Sequence, residues 1–252
     1  MNSTPLVSII TPSYNCSRQI HKTISSVINQ SFLDWEMIIV DDCSTDNSCN
    51  IIEELIKDEP RIKLLKRKWN AGPAIARNVA IENARGRYIA FLDSDDQWHV
   101  EKLAKQIDFM RDNNVTLSYT AYDKYDDNGK YLSTFRPKLK LSYYDLLKTN
   151  SIGCLTAIYD TDMLGKVYMP NISKRQDLAL WLRILKKIEF AYGMDEVLAD
   201  YLAVQANSVS SNKMVAAKYQ WRVYREIEKL SIKSSIYYFL NYAYSGFIKS
   251  KL

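Results

Sequence analysis

The chain has 252 residues, 47% apolar and 25% charged, with 34 Lys and Arg against 29 Asp and Glu for a net charge of +5. This length and composition support one large packed domain, or one domain plus an appendage, and exclude a disordered chain, and the charge is too mild to argue for nucleic acid. The charge is also uneven: residues 213–252 carry eight Lys and Arg against Glu226 and Glu228, a net of +6 that leaves the first 212 residues near −1.

Taken in order, LVSII at 6–10 reads as a buried strand. SRQIHKTISSVINQSF at 17–32 puts Ile20, Ile24, Val27 and Ile28 on one helical face. WEMIIV at 35–40 is a second buried strand, and it ends at DDCSTDNS. NIIEELIK at 50–57 reads as helix, IKLLKR at 62–67 as strand and PAIARNVAIENA at 73–84 as helix, with Gly86 just past its end. RYIAFL at 87–92 is a fourth strand, running into Asp93, Asp95 and Asp96. Strands alternating with helices predict an α/β fold with a parallel sheet covered on both faces.

The pattern then changes. TLSYTAYDKYDDNGKYLSTF at 116–135 reads as a hairpin with Asn128-Gly129 at its turn. GCLTAIYD at 153–160 reads as a strand, and SKRQDLALWLRILKK carries an amphipathic helix through Leu178, Trp181, Leu182 and Leu185. The last forty residues are basic and aromatic, with Trp221, Tyr224, Ile227 and Leu230 at helical spacing, then Ile236, Tyr237, Phe239, Leu240 and Phe247. Such a segment can lie on an anionic membrane surface; packing on the core or on a second subunit explains the same aromatics. The start MNSTPLVSII has no basic leader, and no apolar run approaches the ~18–20 residues of a membrane span. Cys16, Cys43, Cys49 and Cys154 form no CxxC. Free thiols and a cytoplasmic setting are expected, with peripheral attachment to the inner face of the membrane as the hypothesis for the tail.

Ligands of open α/β sheets bind outside the carboxyl ends of the strands. Here TPSYN, DDCSTD and DSDD all sit at such ends. Helix capping is the competing explanation for each acidic cluster, but scattered caps would not gather on one edge. With seven glycines the chain has neither GxGxxG nor GxxxxGK[ST], so phosphate must be held another way. Clustered carboxylates with Mg²⁺ or Mn²⁺ are the obvious substitute. Asp93 and Asp95, two apart, are expected on opposite sides of an extended segment.

VSIITPSYN, IIVDDCSTDNS, NAGPAIARNVAI, RYIAFLDSDDQW and RQDLALWLR, in this order over roughly residues 5–215, resemble the motifs of family 2 glycosyltransferases of the GT-A fold. The likeness is strongest to bacterial enzymes of O-antigen, capsule and teichuronic-type polysaccharides. The resemblance implies a Rossmann-like, mostly parallel sheet with helices on both faces and a C-terminal helical extension. Residues 1–212 would form the transferase domain, with 1–100 binding nucleotide and 101–212 binding acceptor, and 213–252 the tail.

The resemblance also implies roles. Pro12, Tyr14 and Asn15 would line the nucleotide pocket, and Asp42 would accept the uracil N3–H. Arg77 would supply positive charge near the nucleotide, its alternative being a surface helix arginine. Asp93 would contact ribose, Ser94 the nucleotide sugar, and Asp95 the metal, Mn²⁺ or Mg²⁺; Asp96 would support or cap. Asp177 would be the catalytic base of an inverting transfer, with Gln176 standing where relatives often have Glu. Lys213, after Ser208 and Ser210, would clasp the diphosphate, whereas Leu202 and Gln205 replace more polar residues and weaken any histidine metal ligand. His21 and His99 read as helical and structural. Tyr119, Tyr122 and Tyr125 could stack on sugars, although half-buried packing is the commoner fate of strand tyrosines.

The expected reaction moves a hexose or N-acetylhexosamine from a UDP-sugar to a hydroxyl of an undecaprenyl-pyrophosphate-linked saccharide. A metal-dependent nucleotidyltransferase and a degenerate, noncatalytic binder at the membrane surface are the alternatives. Nucleic acid is not an expected partner, because the basic excess is confined to the tail.

Overall fold

The computed structural model describes residues 4–203 and 213–249. Its strands are β1 Val7–Ser13, β2 Trp35–Asp41, β3 Ile62–Lys66, β4 Tyr88–Phe91, β5 Gln97–Trp98, β6 Leu117–Tyr125, β7 Tyr131–Phe135, β8 Lys140–Leu141, β9 Ile158–Asp160 and β10 Ala191–Leu202. The helices are α1 Ile20–Ile28, α2 Ser48–Ile56, α3 Pro73–Asn83, α4 Lys102–Asp112, α5 Tyr143–Lys148, α6 Thr161–Leu164, α7 Gln176–Leu185, α8 Lys213–Arg222 and α9 Ile232–Lys249. The strands form one sheet in the order β3-β2-β1-β4-β9-β6-β10-β5, with β7 on β6 and β8 on β10.

The α/β alternation of the first hundred residues gives the parallel ladders β3-β2-β1-β4. β9 enters antiparallel between β4 and β6, and β6 and β10 run parallel. Apolar residues alternate between the two faces, as a pleated sheet covered on both sides requires. Ile10, Ile38, Val40, Ile89 and Phe91 pack toward α3, α5 and α7. Val7, Ile9, Met37, Ile39 and Ala90 pack toward α1, α2 and α4. Trp181 of α7 meets Phe91 of β4 edge-on, with ring centroids 5.3 Å apart, and this fixes α7 to the strand that feeds the acidic turn.

The chain steps outward from β1 through β2 to β3, then returns to the other side of β1 as β4. The carboxyl ends of β1 and β4 therefore flank a switch point, where a crevice opens. β1 runs farther than expected, through Thr11, Pro12 and Ser13, because each of these pairs with β2. Pro12 is tolerated because β4 pairs only as far as Ile10 and Phe91. The ring nitrogen of Pro12 faces the side on which that ladder has ended, so its missing N–H costs no bond. Gly86 is required for a different reason from helix capping: a Cβ there would lie 2.6 Å from the Ser8 nitrogen.

Other expectations change. α1 begins at Ile20 rather than 17, because the N–H groups of Cys16 and Ser17 are taken by Ser48 and Asp46 across the loop. The predicted strand at 153–160 opens as a 3₁₀ turn, Cys154–Thr156, before β9. His99 follows β5 outside any helix, with its Nε2 2.9 Å from Asp200 Oδ1. α4 and β10 carry no clear sequence signal. Buried Lys102 and Gln106 interrupt the apolar face of α4, and two register shifts break the alternation of β10.

Candidate active site

The Asp96 N–H donates to the Asp93 carbonyl at 3.1 Å, so DSDD is a tight turn. This corrects the extended segment expected from alternation. Asp93 and Asp95 do not point to opposite sides; both line one cleft of about 700 Å³. Arg77 and Asp177 line the same cleft. Two regions distant in sequence, the end of β4 and the start of α7, thus supply its acidic groups.

Arg77 is buried on the inner face of α3, not on the surface, and its Nη2 meets Asp93 Oδ1 at 2.5 Å. Burial alone would lower its pKa, but the charge and hydrogen bond of Asp93, together with the charges of Cys154 and Asp177, outweigh it, so Arg77 stays cationic. Its buried Nε has no hydrogen-bond partner among the described residues. Asp95, half-buried, has its pKa pushed up to about 6 by burial and then by the charge of Asp93. Asp96 is buried; burial and its two acidic neighbours raise its pKa well above the usual carboxylate range. Its Oδ1 accepts the Leu202 N–H at 3.0 Å and its carbonyl accepts the Thr23 hydroxyl at 2.8 Å. Asp96 therefore ties the turn to β10 and α1, and Leu202 contributes through its backbone.

Asp177 is the second residue of α7 and accepts a hydrogen bond from Asn150 Nδ2 at 3.1 Å. Arg175, just before the helix, adopts a left-handed conformation with φ of 64° and also lines the cleft. On the opposite wall Tyr122 stacks on Phe135 at 5.0 Å and meets Tyr201 edge-on at 5.9 Å. Tyr119 is buried in the core and donates to the Lys138 carbonyl, so it is no sugar platform. The three-residue spacing puts Tyr122 on the other face of β6. Tyr125 packs against Tyr131 near the hairpin end.

Pro12, Tyr14, Asn15 and Asp42 form a second group at the ends of β1 and β2, and none of them lines that cleft. Pro12 is buried in β1 and Tyr14 is 50% exposed. Asn15, at φ 48°, accepts the Thr45 N–H at 2.8 Å and so joins the two loops. The buried Asp42 accepts from Arg67 Nη1, from Ala71 N at 3.1 Å and from Gly72 N at 2.6 Å, anchoring the loop that leads into α3. Neither Asp41 nor Asp42 caps α2: its N-cap position is Asn47, and Asp46 just before it accepts the Ser48 N–H at 3.0 Å. Ser94 is half-buried within the acidic turn. Lys213 opens α8; its side chain, like Gln205, Ser208 and Ser210, lies outside the described residues. Asn150, Arg175, Phe135 and Tyr201 were not identified from sequence: the first two stand in loops, and Tyr201 lies in the unread β10, next to its final residue Leu202.

No cluster of three or more His, Cys, Asp and Glu able to hold a metal occurs among the described residues. Mg²⁺ and Mn²⁺ in diphosphate sites need only one or two carboxylates, the rest coming from phosphate and water. Asp95 fits that donor set: it is half-buried, its pKa is raised by burial and then by the charge of Asp93, and Arg77 salt-bridges Asp93 instead. All four cysteines are free thiols. No described helix is long and apolar enough to cross a membrane.

Comparison with known proteins agrees with this geometry. The family model "Glycosyl transferase family 2" matches residues 8–164. The chain is 48% identical over 252 residues to TuaG of Bacillus subtilis (strain 168), named for teichuronic acid biosynthesis, covering 100% of this chain and 99% of the relative. It is 39% identical over 244 residues to the Escherichia coli UDP-Glc:alpha-D-GlcNAc-diphosphoundecaprenol beta-1,3-glucosyltransferase WfgD, covering 97% and 94%. Among solved structures, S. aureus TarS 1-349 in complex with UDP-GlcNAc superposes with a TM-score of 0.72 at 21% identity, covering 94% of this chain and 71% of that one. The mannosyltransferase PcManGT from Pyrobaculum calidifontis, in complex with GDP-Man and Mn2+, gives 0.60 at 18%, covering 88% and 63%.

Proposed function

Since the chain belongs to glycosyl transferase family 2 and is a glycosyltransferase, we propose that it moves a hexose or N-acetylhexosamine from a UDP-sugar to a hydroxyl of a lipid-pyrophosphate-linked saccharide, with inversion. The observation that carries this reading is the single cleft shared by Arg77, the Asp93–Asp96 turn and Asp177. The donor class is supported by the UDP-GlcNAc complex of TarS and by the UDP-Glc in the name of WfgD. That name also supports a diphosphoundecaprenol-linked acceptor, and a lipid-linked acceptor is consistent with action at a membrane surface. Residues 1–100 form the donor half and 101–212 the acceptor half.

Asp177, oriented by Asn150, takes the proton of the acceptor hydroxyl as that oxygen attacks the anomeric carbon and the bond to UDP breaks. Asp93, held in place by its ion pair with Arg77, receives the ribose. Asp95 would hold Mn²⁺ or Mg²⁺, whose charge would stabilise the departing UDP. Asp42, whose two carboxylate oxygens accept from Arg67 Nη1, Ala71 N and Gly72 N, is the candidate acceptor for uracil N3–H at the end of β2. Pro12, Tyr14, Asn15 and Ser94 complete the donor pocket, and Lys213 clasps the diphosphate. Tyr122, Phe135 and Tyr201 offer the acceptor an aromatic wall.

The test is UDP release with a lipid-linked acceptor. Asp177→Asn should lower kcat by about 10²–10⁴ while UDP binding persists, the range expected for loss of a general base. Unchanged turnover would remove Asp177 from the chemistry.

A further inference from the structure

α9 presents two different faces. Inward, Ser235 is buried, Phe239 meets Trp221 edge-on at 5.6 Å, and Tyr242 accepts a hydrogen bond from Arg175 Nη2 at 2.7 Å. The preceding segment is also anchored: Tyr224 is buried and donates to the Leu147 carbonyl, and Glu228 pairs with Lys186 and accepts the Tyr143 hydroxyl. The inner face thus packs on the core, one of the two readings of the tail. The outer face is covered by nothing in the chain described here. Ile232, Ile236, Leu240 and Tyr244 recur every four residues, and Tyr237 falls in the same arc. All five are between 47% and 67% exposed.

Charge argues for what covers that arc. α9 contains no carboxylate, and exposed Lys233 falls within the apolar arc. An apolar and tyrosine face with embedded cation and no anion matches the boundary between anionic headgroups and acyl chains. A protein partner would more commonly meet a rim of both signs. The Arg175–Tyr242 contact also joins α9 to a residue lining the cleft, so the helix stands beside the acceptor-side machinery.

We propose that the outer face of α9 docks on an anionic lipid bilayer, with Ile232, Ile236, Leu240, Tyr237 and Tyr244 entering the interface and Lys233 meeting the headgroups. This deepens the lipid-linked acceptor reading by naming the surface that brings the cleft to the membrane. Docking is tested without donor or acceptor, so the two ideas fail separately.

The experiment is flotation of the full chain with vesicles of phosphatidylcholine alone and of phosphatidylcholine mixed with phosphatidylglycerol. Wild type should float with the anionic vesicles and weakly with the neutral ones. The double variant Ile236→Ser, Leu240→Ser should bind about tenfold or more weakly. Lys233→Glu should lose about fivefold on anionic vesicles alone. Leu33→Ser, an exposed leucine elsewhere, should change nothing. UDP binding should be unchanged in all variants, since none lines the cleft. Equal flotation of the double variant, or no flotation of wild type, would overturn the proposal. So would a wild-type dimer that the double variant converts to monomer without any change in vesicle binding, for then a second copy covers the face.

Discussion

At the residue scale, Asp95 concentrates the tension of the site. Its neighbours are acidic, and the nearby cation, Arg77, is paired with Asp93. A carboxylate with a folded pKa of about 6, against 3.8 unfolded, is ionised more readily in the unfolded chain. Its effect on stability is therefore unfavourable above pH 6, shrinks as pH falls through that window, and is absent below pH 4. In EDTA, Asp95→Asn should stabilise the protein at pH 7 by about 1–2 kcal/mol, a value discounted for partial exposure. Denaturant melts at pH 7 and pH 4.5 check this: the gain should be largest at pH 7. A variant less stable than wild type at pH 7 would contradict the charge excess at the turn. Such a gain is what a site that trades stability for a bound cation should yield.

At the element scale, β4, its turn and α7 act as one unit. Phe91 ends β4, Asp93–Asp96 follows at once, and Trp181 clamps α7 on Phe91 one turn beyond Asp177. Trp181→Ala should cost about 3–5 kcal/mol, the range for deleting a buried large aromatic. It should also lower kcat more than it weakens UDP if, as we propose, α7 carries the base and β4 leads into the donor site. Chemical denaturation and steady-state kinetics measure the two effects; a loss of stability with kcat untouched would break the link. The same elements explain what the sequence made legible. β1, β2 and β4 are apolar runs flanked by helices of 3.6 periodicity, so their type, order and functional ends could be read. α4 was obscured by Lys102 and Gln106, polar residues on a buried face. Bulges scrambled the alternation of β10. The turn at DSDD was misread because a two-residue spacing predicts opposed side chains only while the backbone stays extended.

At the scale of the whole molecule, the mixed sheet joins two kinds of surface. Parallel ladders from β3 to β4 bring the donor-side loops to one edge, and β9, β6 and β10 extend the sheet under the aromatic wall. Asp177 was legible as a polar residue opening an amphipathic helix, but its partner Asn150 lies 27 positions away and only the fold joins them. The tail was legible as helical and amphiphilic. That one face is committed to the core while the other stays open required the packing of Trp221, Tyr224 and Tyr242. On the proposed mechanism, a UDP-sugar and a divalent cation share the acidic turn of this one cleft.

Calorimetric titration of UDP, with ADP and GDP as controls, in Mn²⁺ and in EDTA, on wild type and Asp95→Ala, tests that claim most directly. The account predicts UDP-selective binding that requires Mn²⁺ and is lost in Asp95→Ala. Equal binding of the three nucleotides, or UDP binding indifferent to both EDTA and Asp95→Ala, would contradict it.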